Sequence, residues 1–98
     1  MTWQILLRCA ARKEFDAAGD WYAQQREGLG AVFADAVQRV LDQIAKMPRA
    51  HAVAVRDIRR AVVPRFPYCV YYRVRPKTIV VVSVFHTARD PSIWQPRE

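Results

Sequence analysis

Residues 65–94 read RFPYCVYYRVRPKTIVVVSVFHTARDPSIW, and this stretch decides the fold. Tyr68 to Val74 is aromatic and β-branched, as strands are. Pro76-Lys77 reads as a turn. Ile79 to His86, IVVVSVFH, is apolar at both alternating sets of positions, which predicts a strand covered at least in part on both faces. Just upstream, Ile58 to Val63 carries the same β-branched signature. The connections are short, so the three strands form an antiparallel meander. The last strand ends on His86, with Arg89-Asp90-Pro91 just beyond it.

Toward the N-terminus the period changes. Ala11 to Arg26 places Ala11, Phe15, Ala18 and Tyr22 three or four residues apart, which predicts a helix. Glu14 and Asp16 fall in or near its first turn, where carboxylates favour the positive end of the helix dipole. Gly28-Leu29-Gly30 breaks the pattern. A second helix is predicted from Ala31 to Lys46, with Phe33, Val37, Val40, Leu41 and Ile44 as its apolar stripe and Pro48 as its stop. So short a connection predicts an antiparallel helix hairpin. Trp3 to Cys9, WQILLRC, reads as a first strand. Arg49 to Asp57 reads as a linker, and residues 90–98, with two prolines, as a short and flexible tail. The expected fold is one α+β domain over residues 1–98, in the order β-α-α-β-β-β. The hairpin packs on one face of a mostly antiparallel sheet. The other face is expected to be open or cleft-like, with the arginines pointing there or to the edges.

The 98 residues suffice for one compact domain and not for two. Net charge is +7, and it is unevenly spread. Up to Pro48, six basic residues balance six acidic ones; from Arg49 onward ten basic residues, nine of them Arg, face three acidic ones, and 10 − 3 = +7. Arg-rich surfaces favour planar, bidentate contacts to carboxylate or phosphate. The expected partner is therefore nucleic acid or an acidic protein. Cys9 and Cys69 make no disulfide framework and read as small apolar strand residues. No segment has the order of a signal peptide, and no apolar run approaches the ~20 residues that span a bilayer. A reduced, cytoplasmic protein without membrane contact is expected. There is no paired-carboxylate site, no metal-ligand spacing and no phosphate-binding Gly-rich loop, so no cofactor or metal is expected.

The order of elements and a series of short motifs resemble the ParE/RelE superfamily of type II toxin–antitoxin toxins, the plasmid stabilisation family, on its ParE side. The motifs are Trp3-x-Ile5, Phe15 and Tyr22, Gly28-Leu29-Gly30-x-x-Phe33, Ile58-Arg59-Arg60-x-Val62, Arg65-Phe66-Pro67-Tyr68-x-Val70-Tyr71-Tyr72-Arg73-Val74, and Val84-Phe85-His86-x-x-Arg89-Asp90-Pro91. The resemblance spans nearly the whole chain. It implies a toxin silenced by a cognate acidic antitoxin in a hetero-oligomer. It also implies one of two activities: poisoning of DNA gyrase by binding, as in ParE-like members, or ribosome-dependent cleavage of mRNA, as in RelE-like members.

Metal-independent RNA cleavage needs a base for the 2′-OH, an acid for the leaving oxygen and cations for the phosphorane. RelE-like ribonucleases resemble one another in a Tyr-Arg-hydrophobic-x-Tyr pattern early in the middle meander strand. Here it reads Tyr68-Cys69-Val70-Tyr71-Tyr72, with a thiol in place of the guanidinium. Arg73 is on the same strand face but ~13 Å along it. The resemblance therefore favours gyrase inhibition, and no catalytic residue is assigned. A nuclease would draw on Arg65, His86 and Arg89. The residues expected to bind target or antitoxin are Arg59, Arg60, Arg65, Arg73, Arg89 and Trp94. The alternative readings are charged edge protection for the arginines, core packing for Tyr68, Tyr71 and Tyr72, and a ring-to-turn hydrogen bond for His86. A nucleic-acid-binding module without toxicity is the third possibility.

Overall fold

The computed structural model describes residues 3–96. Strand β1 is Gln4–Leu7, helix α1 Cys9–Gln25, helix α2 Leu29–Lys46, and the strands that follow are β2 Val53–Val55, β3 Ile58–Val62, β4 Tyr68–Arg75 and β5 Thr78–His86. A 3-10 turn, Pro91–Ile93, closes the fold. The sheet has five strands in the order β1-β5-β4-β3-β2. β2 to β5 pair antiparallel with their neighbours, while β1 lies parallel to β5, with Gln4 opposite Thr78. The expected α+β architecture and element order hold, and the meander runs as expected.

The helix hairpin covers one sheet face because each helix carries a continuous apolar stripe. Phe33, Val37, Val40, Leu41 and Ile44 of α2 and Ala11 and Ala18 of α1 are buried against Ala61, Val70, Tyr72, Ile79, Val81 and Val84. Full burial of an Ile, Val or Phe side chain stabilises by about 1.5–3 kcal/mol, so this layer holds the fold. An aromatic group closes one end: Tyr22 and Phe33 each sit 5.0–5.1 Å, centroid to centroid, from Phe66, and Phe33 lies 5.1 Å from Tyr68. Gly28 opens α2 at φ 83°, a left-handed conformation that disfavours a side chain. At Gly30 a Cβ would meet the Gly19 carbonyl at 2.7 Å, so the helices approach closely there.

In β4, residues alternate faces: Val70 and Tyr72 go to the helices, Cys69 and Tyr71 to the other side. In β5 the alternation is interrupted. Tyr71 pairs with Ser83 and Tyr72 with Val81, leaving Val82 as the extra residue of a bulge. The parity of the strand resets there. Ile79 and Val81 face the helices before the bulge and Val84 faces them after it.

Five expectations need correction. The first strand ends at Leu7, and Cys9 is the exposed first residue of α1, not a strand residue. Arg8 is extended but lies outside the strand, which ends two residues earlier than expected. With α1 starting at Cys9, its first turn holds no acidic residue, and Glu14 lies further along. The segment 49–57 is not all linker, because Val53–Val55 forms edge strand β2. The helix-free face is not open. Ile58, Cys69, Tyr71, Val82, Phe85 and Trp94 form a second core on it. Trp94 is only 2% exposed and stacks on Tyr71 at 4.0 Å, so the segment 90–96, expected as a flexible tail, folds back on the sheet. Residues 97 and 98 lie outside the described residues. Among the described residues no helix is long and apolar enough to cross a membrane.

Candidate functional site

The arginines predicted to form one surface occupy three places. Arg59 leans toward the loop after α2, donating from Nη1 to the His51 carbonyl at 2.6 Å and to the Arg49 carbonyl at 3.3 Å. Arg65 sits at φ 70° in the β3–β4 turn and lines a cleft against α2 with Val32, Arg39 and Phe66. Arg60, Arg73 and Arg89 belong to the helix-free side and its end. Arg60 is exposed and near enough to Cys69 and Tyr71 to oppose the rise of both their pKa values; burial of each group is the larger effect and raises them. Arg73 is 4% exposed, and its Nε donates to Asp57 Oδ1 at 3.0 Å. Arg75 reaches the other oxygen of the same carboxylate at 3.2 Å. Arg89 lies 5.2 Å from the Phe85 ring centroid, over its face. Among the described residues, the arginines do not share a single concave side.

Trp94 is a packing residue of the second core. Its indole N–H is buried without a partner among the described residues. Arg56 donates to the Gln95 carbonyl, and Asp90 Oδ1 accepts from the Ser92 N–H at 3.0 Å. These bonds hold the returning segment over β4 and β5. Cys69 lies beneath it, 2% exposed, and burial pushes its thiol up, toward the neutral form.

At the far end of β5, His86 pairs with Tyr68 across the strands, ring centroids 5.2 Å apart. The Ala88 N–H donates to His86 Nδ1 at 3.0 Å, the ring-to-turn bond considered above. An imidazole accepting at Nδ1 carries its proton at Nε2 and has no free lone pair to act as a base. His86 and Arg89 line a common cleft of about 370 Å³ with Lys13, Glu14, Trp21 and Tyr68. Arg65 is absent from its lining, so the three residues named for a nuclease are not brought together.

Sequence reasoning missed Lys13, Glu14 and Trp21 here, and Asp57 on the opposite face. Glu14, Ala18 and Trp21 recur at i, i+4 and i+7, so α1 presents them on one face toward β5. The signal was an acidic residue inside that stripe. Its Oε1 accepts from Ser83 Oγ at 2.8 Å and from Val84 N at 3.2 Å, where the bulge presents both residues to α1.

The sequence profile of the ParE toxin of the type II toxin–antitoxin system parDE matches residues 5–91. The chain belongs to the ParE toxin family. The match takes in β2 to β5, all of β1 but Gln4, both helices and the His86–Asp90 turn. No curated protein sequence matches the chain. Two solved structures share the fold of this ParE-family chain. One is described as the chromosomal ParDE toxin–antitoxin system from P. aeruginosa, with a TM-score of 0.63, 19% identity, and coverage of 87% of this chain and 96% of that one. The other is the toxin–antitoxin complex RelBE2 from Mycobacterium tuberculosis, with a TM-score of 0.63, 16% identity, and coverage of 88% and 99%. At these identities the likeness is one of fold.

Proposed function

We propose that this ParE-family toxin acts by binding DNA gyrase, without cutting RNA, and is silenced by a cognate acidic antitoxin. The observation that carries this reading is the environment of Cys69. At the position where RelE-like ribonucleases resemble one another in carrying an arginine, this chain has a thiol 2% exposed and biased toward its neutral form. A neutral thiol supplies no charge to a phosphorane. His86 adds to it, because its Nδ1 lone pair is already engaged by Ala88. The family match and the two toxin–antitoxin neighbours support an antitoxin partner. Arg-rich charge in the second half of the chain suits a segment bearing carboxylates. Exposed Arg60, Arg65 and Arg89, with half-buried Arg59, are the residues assigned to target or antitoxin. Arg73 and Trp94 are buried on the helix-free side and support it from within.

The test is a titration of gyrase supercoiling with the purified protein. Inhibition that rises with dose is expected, as is filamentation with a DNA-damage response on induced expression. Toxicity should survive His86→Ala. Rapid translation arrest with codon-positioned mRNA cuts, gyrase being unaffected, would overturn the reading in favour of a ribonuclease.

A further inference from the structure

We propose that the cleft between α1 and the ends of β4 and β5 binds a nucleoside phosphomonoester. The site shares Arg89 with the residues assigned to target or antitoxin, but nucleotide binding there does not require the gyrase reading. Lys13 lines the cleft from α1, and His86 and Arg89 from the end of β5 and the turn after it. Neither Lys13 nor Arg89 has an ion-pair partner among the described residues; the contact found for Arg89 is with the Phe85 ring. His86 is held with Nδ1 as acceptor, which makes Nε2–H a donor of fixed character. An ammonium, a guanidinium and an imidazole N–H together exceed what one carboxylate takes up and suit the three terminal oxygens of a phosphomonoester. Glu14 is the one acidic group lining the cleft among the described residues. The bonds from Ser83 and Val84 to its Oε1 direct that carboxylate toward β5.

The aromatic wall selects the rest of the ligand. Trp21 is 55% exposed although it borders the cleft. Its plane stands at 83° to the Tyr22 ring, centroids 5.0 Å apart, and the exposed part of the indole is available to a flat ring. A base can stack on such a ring whatever its identity, because every base has a π-face. The volume, about 370 Å³, lies within the range of small-molecule sites.

Isothermal titration of the full chain with AMP tests the assignment, alongside adenosine and inorganic phosphate. Saturable AMP binding is expected, with adenosine and phosphate each weaker by about tenfold or more. Arg89→Gln and Lys13→Gln should each weaken AMP by about tenfold. Trp21→Ala should weaken AMP while leaving phosphate binding unchanged. Lys77→Gln, in the β4–β5 turn, should change nothing. All these positions are exposed, and circular dichroism checks that each variant folds. A single-stranded oligonucleotide with a 5′-phosphate, compared with its 5′-hydroxyl form, separates a strand end from a free nucleotide as the source. Absence of saturation up to about 10 mM AMP would overturn the proposal. So would equal losses in the Arg89, Lys13 and Lys77 variants, which would mean unspecific charge attraction.

Discussion

Tyr72 carries a phenol into the helix-facing core, where it donates to the Pro48 carbonyl at 2.7 Å. Burial raises its pKa above the ordinary value of 10.0, and Arg59 opposes that rise. The native state therefore holds this proton more tightly than the unfolded chain does. Its stabilising contribution is complete below pH 10 and is lost as pH climbs through the raised native value. Chemical denaturation across that range should show stability falling with pH, and more gently in Tyr72→Phe. Tyr22, Tyr68 and Tyr71 are shifted the same way, so part of the slope should remain. Trp94 is a second case in which one side chain decides a surface. Trp94→Ala should destabilise by about 3 kcal/mol in urea titration, since it empties a stacked, buried site. Trp94→Phe should cost about 1 kcal/mol or less, because it also removes an unpartnered buried N–H. The two cysteines should separate under a thiol reagent: exposed Cys9 should label in the native protein, and buried Cys69 only on unfolding. At this scale the sequence is least legible. Cys69 was readable as a missing charge, but Trp94 in a Pro-flanked tail gave no sign that a second apolar layer was waiting for it.

Elements with strong periodicity were readable because their pattern and their burial agree. The stripe Phe33, Val37, Val40, Leu41, Ile44 is buried as spaced, and IVVVSVFH is covered on both sides. β2 was invisible for physical reasons. It has three residues, pairs through an irregular register at a sheet edge, and leaves Val53 and Ala54 exposed. The boundary at Cys9 was misread because a small apolar residue suits a strand end and a helix start alike. The bulge at Val82 was also hidden, since a uniformly apolar strand conceals a change of parity. The hairpin's glycines give a sharp contrast. Gly30→Ala should destabilise by about 1–3 kcal/mol, as its methyl would press on the Gly19 carbonyl. Gly19→Ala has open space in front of it and should stabilise by about 0.5–1 kcal/mol through helix propensity. Thermal melts of the two variants should move in opposite directions. Asp57, in the β2–β3 turn, joins Arg73 and Arg75 of β4. It is half exposed, so Asp57→Asn should cost only about 1–2 kcal/mol.

For the whole molecule, charge and topology act separately. The +7 excess is long-ranged and acts on encounter rather than on shape. Association with an acidic partner should slow as ionic strength rises from about 0.05 to 0.5 M, with little change in dissociation; stopped-flow mixing checks this. Topology sets a different constraint. β1 finds its partner in β5, and Gln4 lies opposite Thr78, 78 − 4 = 74 positions along the chain. Such distant pairing delays closure of the sheet. During synthesis β1 emerges first yet stays unsatisfied until β5 has cleared the ribosome. Translation speed thus sets how long the first strand waits with its hydrogen-bonding edge unclaimed.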